Sequence, residues 1–171
     1  YMLSKVPTTR TGLIDTSLLI LHDWSGFISL EDEEIDAERG VIHEEWRTRR
    51  TADFRLRQKT SKVLFNGSKY VTHDVIGDTN VINNHEYEII RNFYYDWYRP
   101  DLQALIIVGD IDPHDIEERI KKIFADIPKR ENPKERYYVE IPDNEDPLIT
   151  VATDPEASRV TVQLVYKHDI I

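Results

Sequence analysis

Phe93-Tyr94-Tyr95-Asp96-Trp97-Tyr98-Arg99-Pro100-Asp101-Leu102-Gln103-Ala104-Leu105-Ile106-Ile107-Val108-Gly109-Asp110 changes its hydrophobic period half-way along. Its first part closes a helical pattern over residues 86–98, in which Ile89, Ile90, Phe93 and Trp97 fall on one side. Arg99-Pro100 stops that helix, because proline drives the residue before it out of the α region. Residues 102–108 are then a short, nearly unbroken apolar run closed by the Gly109-Asp110 turn, the pattern of a strand buried on both faces. Asp112-Pro113 opens another helix, with Asp as cap and Pro at the first position, where its missing N–H is no loss. Ile116, Ile120, Ile123, Phe124 and Ile127 make its apolar stripe, and Pro128 ends it.

Upstream, residues 9–27 predict an amphipathic helix with Leu13, Leu18, Leu21 and Trp24 near helical spacing, ended by Ser25-Gly26. Ser29-Leu30-Glu31-Asp32 has the form of a capping box and opens a second helix. That helix runs to Arg47, bends near Thr51 and resumes over 53–64, until Asn66-Gly67-Ser68 breaks it. Residues 69–84 read as irregular. Downstream, residues 128–147 shift to Pro, Lys, Arg, Glu, Asp and Asn, a surface connection. Residues 148–153 and 159–166 read as strands, Val160, Val162, Leu164 and Tyr166 alternating with their neighbours. Long helices with a few strands predict an α+β layer fold.

At 171 residues the chain has room for one domain, or one and part of another. Hydrophobic residues at 40% and charged residues at 32% fit a globular chain rather than a disordered one. Lys and Arg number 22 against 32 Asp and Glu, a net charge of −10, which argues against a general nucleic-acid binder. No apolar run approaches the ~20 residues of a membrane span. With no cysteine, disulfide scaffolds, thiolate zinc ribbons and cysteine nucleophiles are excluded. Nothing selects a compartment. The opening Tyr1-Met2-Leu3-Ser4 and the close on Asp169-Ile170-Ile171, straight after a strand-like run, read as a piece of a longer protein.

The second helix holds the oddest feature. Ile35, Ile42 and Trp46 share a face at about 100° per residue. Glu38 and Glu45, seven residues apart, project within about 20° of each other onto the flank of that face. Carboxylates buried there need a cation, hydrogen bonds or a metal, since an unpaired buried charge costs several kcal/mol. Alternatively both edge the stripe and meet solvent, or pair with Arg39, Arg47, Arg49 and Arg50.

Glu38-Arg39-Gly40-Val41-Ile42-His43-Glu44-Glu45 resembles the distal glutamate segment of the M16 zinc peptidases, the pitrilysin and insulinase family. Residues 93–110 resemble that family's passage from helix to strand, and the two matches stand in the right order and spacing. The resemblance implies helices packed on a mainly antiparallel sheet, a partial repeat unit of the M16 metallohydrolase type. It implies residues 1–135 as the later portion of the first unit, 136–147 as a linker and 148–171 as the start of the next. It implies a Zn2+ endopeptidase that hydrolyses peptide bonds through a metal-activated water. By this resemblance Glu45 is a zinc ligand, and Glu38 supports the site from behind. The family's His-x-x-Glu-His motif supplies two more ligands and the general base. That motif is absent from this chain, and the family's spacing puts it about 30 residues before Tyr1. The piece alone is then inactive. Expected partners are a peptide or unfolded-protein substrate and a second M16-type half, fused or separate. The competing class is a partner half without catalysis, a scaffold for peptides or for a catalytic half.

Other features rank lower. His43-Glu44 is followed by Arg47 where a thermolysin-type site needs histidine. His22, His73, His85, His114 and His168 are scattered and read as surface or capping residues. Gly109-Asp110-Ile111-Asp112 lacks the acidic spacing of a calcium loop and reads as a turn and helix cap. Arg47, Arg49, Arg50, Arg55 and Arg57 read as partners for neighbouring acids. Tyr94, Tyr95, Trp97 and Tyr98 read as core before they read as a stacking platform.

Overall fold

A computed structural model describes residues 1–168. Six α-helices follow in order: α1 (Leu13–Gly26), α2 (Asp32–Arg49), α3 (Ala52–Leu64), α4 (Thr79–Asn84), α5 (Tyr87–Trp97) and α6 (Pro113–Ile123). Short 3-10 turns cover Lys69–Val71 and Pro100–Leu102. The helices group into two compact units, one of residues 1–34 with 86–135, the other of residues 35–85 with 136 onward.

In the first unit α1 packs on α6, with Leu18 only 2% exposed and Ile116 buried. Helix α1 starts later than its periodicity predicts, because Gly12 stands before it in the left-handed region (φ 77°). Gly26 ends it against Ile127, 3.2 Å from where a Cβ would stand, so a side chain there would force the two apart. Asp112 caps α6 as predicted, its Oδ1 accepting from His114 N and Asp115 N at 2.9 Å. Helix α5 buries Tyr94, whose hydroxyl donates to Trp24 O at 3.0 Å and accepts from Ile28 N at 3.3 Å. Ile89 and Phe93, expected inside, are exposed, and α5 turns its hydroxyl-bearing aromatic inward instead.

The predicted capping box does not form. Leu30 takes φ 52°, so the helix begins at Asp32. Arg91 holds this entry, donating to Leu30 O at 3.1 and 2.9 Å and to Asp32 Oδ1. Arg99, 3% exposed, donates to Lys134 O at 2.8 Å, with the Asp101 carboxylate 3.5 Å from its Nε.

In the second unit Ile35 and Phe54 are buried. The break between α2 and α3 falls at Thr51, whose hydroxyl accepts from Phe54 N. Helix α4 lies in the stretch read as irregular, and Asp78 starts it by accepting from Asn80 N and Val81 N. Helix α3 is clamped to residues 153–156. Arg55 donates to both oxygens of Asp154 at 2.7 Å and to Glu156, and Lys59 donates to Thr153 O.

The α+β expectation is overturned: among the described residues there is no strand and no sheet. Residues 102–108, 148–153 and 159–166 carry the strand patterns without a ladder. Val108 is 91% exposed and Val160 94%. The physical reason is that a strand is made by its neighbour: the pattern supplies a face, and only a second strand supplies hydrogen bonds and cover. The last three residues of the predicted second M16 unit, 169–171, lie outside the described ones.

Two outcomes follow. The guanidinium of Arg55 and the Glu156 N–H hold the Asp154 carboxyl down to about 2. Its contribution to stability is therefore complete above the usual carboxylate range and fades as pH falls through about 4 toward 2. An Asp154→Asn variant should be less stable near neutrality and show a flatter acid limb in urea melts taken at stepped pH. Exposed apolar runs with free edges associate. Sedimentation of the isolated chain should show oligomers growing with concentration, and Val162→Lys should shift it toward monomer.

Candidate functional site

Helix α2 sets the stage for both predicted acids. With 1.5 Å of rise per residue, Glu38 and Glu45 sit about 10 Å apart along the axis. Ile35 is buried, and Ile42 and Trp46 are half-buried, so the predicted inward face is the inward face. Glu38 is exposed. Glu45 keeps 40% of its side chain in solvent and pairs with Arg49 one turn on, at 2.5 Å. Arg47 pairs with a neighbouring acid as expected, bonding Glu44 at 2.8 Å, whereas Arg50 stacks 4.5 Å over the Trp46 ring. The Arg47 bond holds the Glu44 carboxyl below its ordinary value.

Arg39, between the two acids, turns elsewhere. It bonds Asp36 at 2.9 Å and reaches the end of α4, where Ile82 O and His85 O accept from its Nη1 and Nη2. His43 Nε2 meets Asn83 Oδ1 at 2.5 Å. Arg39 and His43 thus tie α2 to α4, leaving the acids on the open flank.

Among the described residues no group of three His, Cys, Asp or Glu is arranged to hold a metal. Zinc takes three protein ligands in a hydrolase site, with oxygen at about 2.0–2.2 Å. A half-exposed glutamate held by an arginine on its own helix is one such donor and no more. The donor set present here does not make a zinc site by itself. One cavity, about 410 Å³ beside α6, is lined by Leu105, Ile107, Ile111, Pro113, Ile116 and Ile120 with Glu117 at its edge. It offers packing rather than chemistry.

His22, expected at the surface, is buried, with a carboxylate on each ring nitrogen. Its i, i+4 place after Leu18 on the inward face of α1 was the available signal.

Comparison with known proteins decides the family. The family model described as the peptidase M16 inactive domain matches residues 85–167. The probable zinc protease PqqL of Haemophilus influenzae is 36% identical over 130 residues, 76% of this chain. The first half of the periplasmic protease PqqL from Escherichia coli superposes with a TM-score of 0.69 at 31% identity, over 77% of this chain and 28% of that one. The chain belongs to the M16 peptidase family. A mutant ferredoxin protease FusC, solved in complex with Arabidopsis ferredoxin, superposes with a TM-score of 0.67 at 33% identity, over 72% of this chain and 14% of FusC. The M16 chain spans 14% of the length of the H. influenzae protein, and the same share of E. coli PqqL, to which it is 31% identical. Because that short span carries one candidate ligand, the isolated chain should retain no stoichiometric zinc after gel filtration, as read by metal analysis of the eluted peak.

Proposed function

We propose that this chain is part of a zinc-dependent M16 endopeptidase and gives that enzyme one metal ligand, Glu45. The observation that carries the reading is the likeness to zinc proteases over three-quarters of the chain. Glu45 stands at the rim of α2 with its carboxylate still open to solvent, as a ligand waiting on donors from elsewhere would. Two further ligands and the general base come from outside these residues. Bound zinc acts as a Lewis acid toward a peptide carbonyl and its attacking water. Glu38 supports from one helical repeat away, and Arg39, by anchoring α2 to α4, keeps the helix in place. The substrate in this reading is a peptide or protein, enclosed with the help of a second M16-type half. The division at residues 136–147 belongs to the same proposal, and limited proteolysis of the whole protein tests it by where the first cut falls.

A second reading has one observation behind it. The matching family model is that of the inactive domain, which suits a half that shapes the chamber for a catalytic partner.

In the whole protein, Glu45→Gln should abolish zinc retention and peptidase activity with the far-UV spectrum unchanged. Glu38→Gln should cost about 10–100-fold, the range of a ligand's supporting residue. Activity and zinc content both intact in the Glu45 variant would sink the ligand assignment and leave the inactive-half reading.

A further inference from the structure

The most closely built polar cluster outside α2 lies where α1 meets the chain leaving α6. The His22 ring is stacked on Phe27, with centroids 4.7 Å apart, and Phe124 meets it edge-on at 5.6 Å. Its Nδ1 is 2.9 Å from Asp23 Oδ1 and its Nε2 is 2.8 Å from Asp126 Oδ1. An ionised carboxylate only accepts hydrogen bonds, so each ring nitrogen has to donate. Neutral imidazole has one N–H, and only the imidazolium has two. In the neutral ring, one aspartate would face a nitrogen lone pair across less than 3 Å.

The charged groups facing His22 are Asp23 from its own helix and Asp126 from the segment after α6. The phenylalanines are neutral, and the other ion pair joining α1 to α6, Asp15 with Arg119, lies seven residues back along α1. Burial alone would lower the His22 pKa, and the bonds to Asp23 and Asp126 outweigh it, so the net direction is upward. More depends on Asp126 than one bond. The segment behind it carries Arg130, which donates to Tyr95 O, and Lys134, which pairs with Asp96 and whose carbonyl accepts from Arg99.

We infer that His22 is a pH-responsive latch: protonated it fastens residues 126–135 to α1, and deprotonated it lets Asp126 go. The sign is fixed. A group whose pKa is raised in the folded state contributes fully below its unfolded value, and the contribution is lost as pH rises through the folded value. The latch is closed in acid and opens as pH rises through a value above histidine's ordinary one.

The test is peptide-resolved hydrogen exchange on the intact protein from about pH 5.5 to 8.5, the range in which histidine titrates, corrected for the intrinsic rate at each pH. Peptides covering α1 and residues 124–135 should exchange several-fold faster at the alkaline end, while α3 peptides keep constant protection. His22→Gln should make the α1 profile flat. Asp126→Asn, which keeps the histidine and removes one anion, should shrink the pH dependence, and it decides the matter if the glutamine variant does not fold. Wild-type protection that ignores pH, or an Asp126→Asn profile that follows the wild type, would overturn the latch.

Discussion

Guanidinium groups reaching main-chain carbonyls hold much of this molecule in shape. Arg39 takes Ile82 O and His85 O, Arg55 takes Arg50 O, Arg91 takes Leu30 O, Arg99 takes Lys134 O and Arg130 takes Tyr95 O. Each acceptor lies at a helix end or in a connection, where the backbone has no ladder to satisfy it. Arginine suits the task because its planar fork carries five donors and stays charged at any working pH. The need is acute because the core is thin: among the described residues only Leu18, Ile35, Phe54, Tyr94 and Ile116 are buried hydrophobic side chains. Two of the five arginines also meet a carboxylate from a distant part of the sequence, Arg55 with Asp154 and Arg91 with Asp32.

The helices were legible because their signals are local. The Asp112-Pro113 start of α6, its isoleucine stripe and the break at Thr51 depend on residues within a turn or two of each other. Helix α4 was hidden because a six-residue helix has almost no period to read, and its only announcement is the Asp78 cap. The α5 face was misread because hydrophobicity alone ranks Ile89 and Phe93 above Tyr94. The structure ranks by hydrogen bonding as well, and Tyr94 finds two partners. The sheet failed for a different reason. Alternation in residues 160–166 is a statement about what the segment could pair with, and pairing is a property of two segments.

The candidate site divides in the same way. That α2 has an inward face bounded by Ile35, Ile42 and Trp46, with Glu45 on its rim, followed from helical geometry. That Arg39 reaches α4 could not be read from the chain, since Ile82 and His85 lie more than forty residues away. His22 shows the converse: no motif surrounds it in the sequence, yet it is buried with a carboxylate on each ring nitrogen. A metal centre is the least local object of all, and one glutamate carries little of its geometry.

The two units are interleaved along the sequence, residues 35–85 standing between the two halves of the first and residues 86–135 between the two halves of the second. No single cut in the gene therefore releases either unit whole. A truncation that keeps α1 but stops before α6 strands Leu18 without its neighbour, and one that begins at α3 keeps Arg55 and Asp154 but discards Ile35. During synthesis residues 1–34 wait through the whole of residues 35–85 before the rest of their unit begins to emerge. Dissection of such a chain into independently expressed parts calls for circular permutation or a spliced loop in place of residues 35–85, rather than a stop codon.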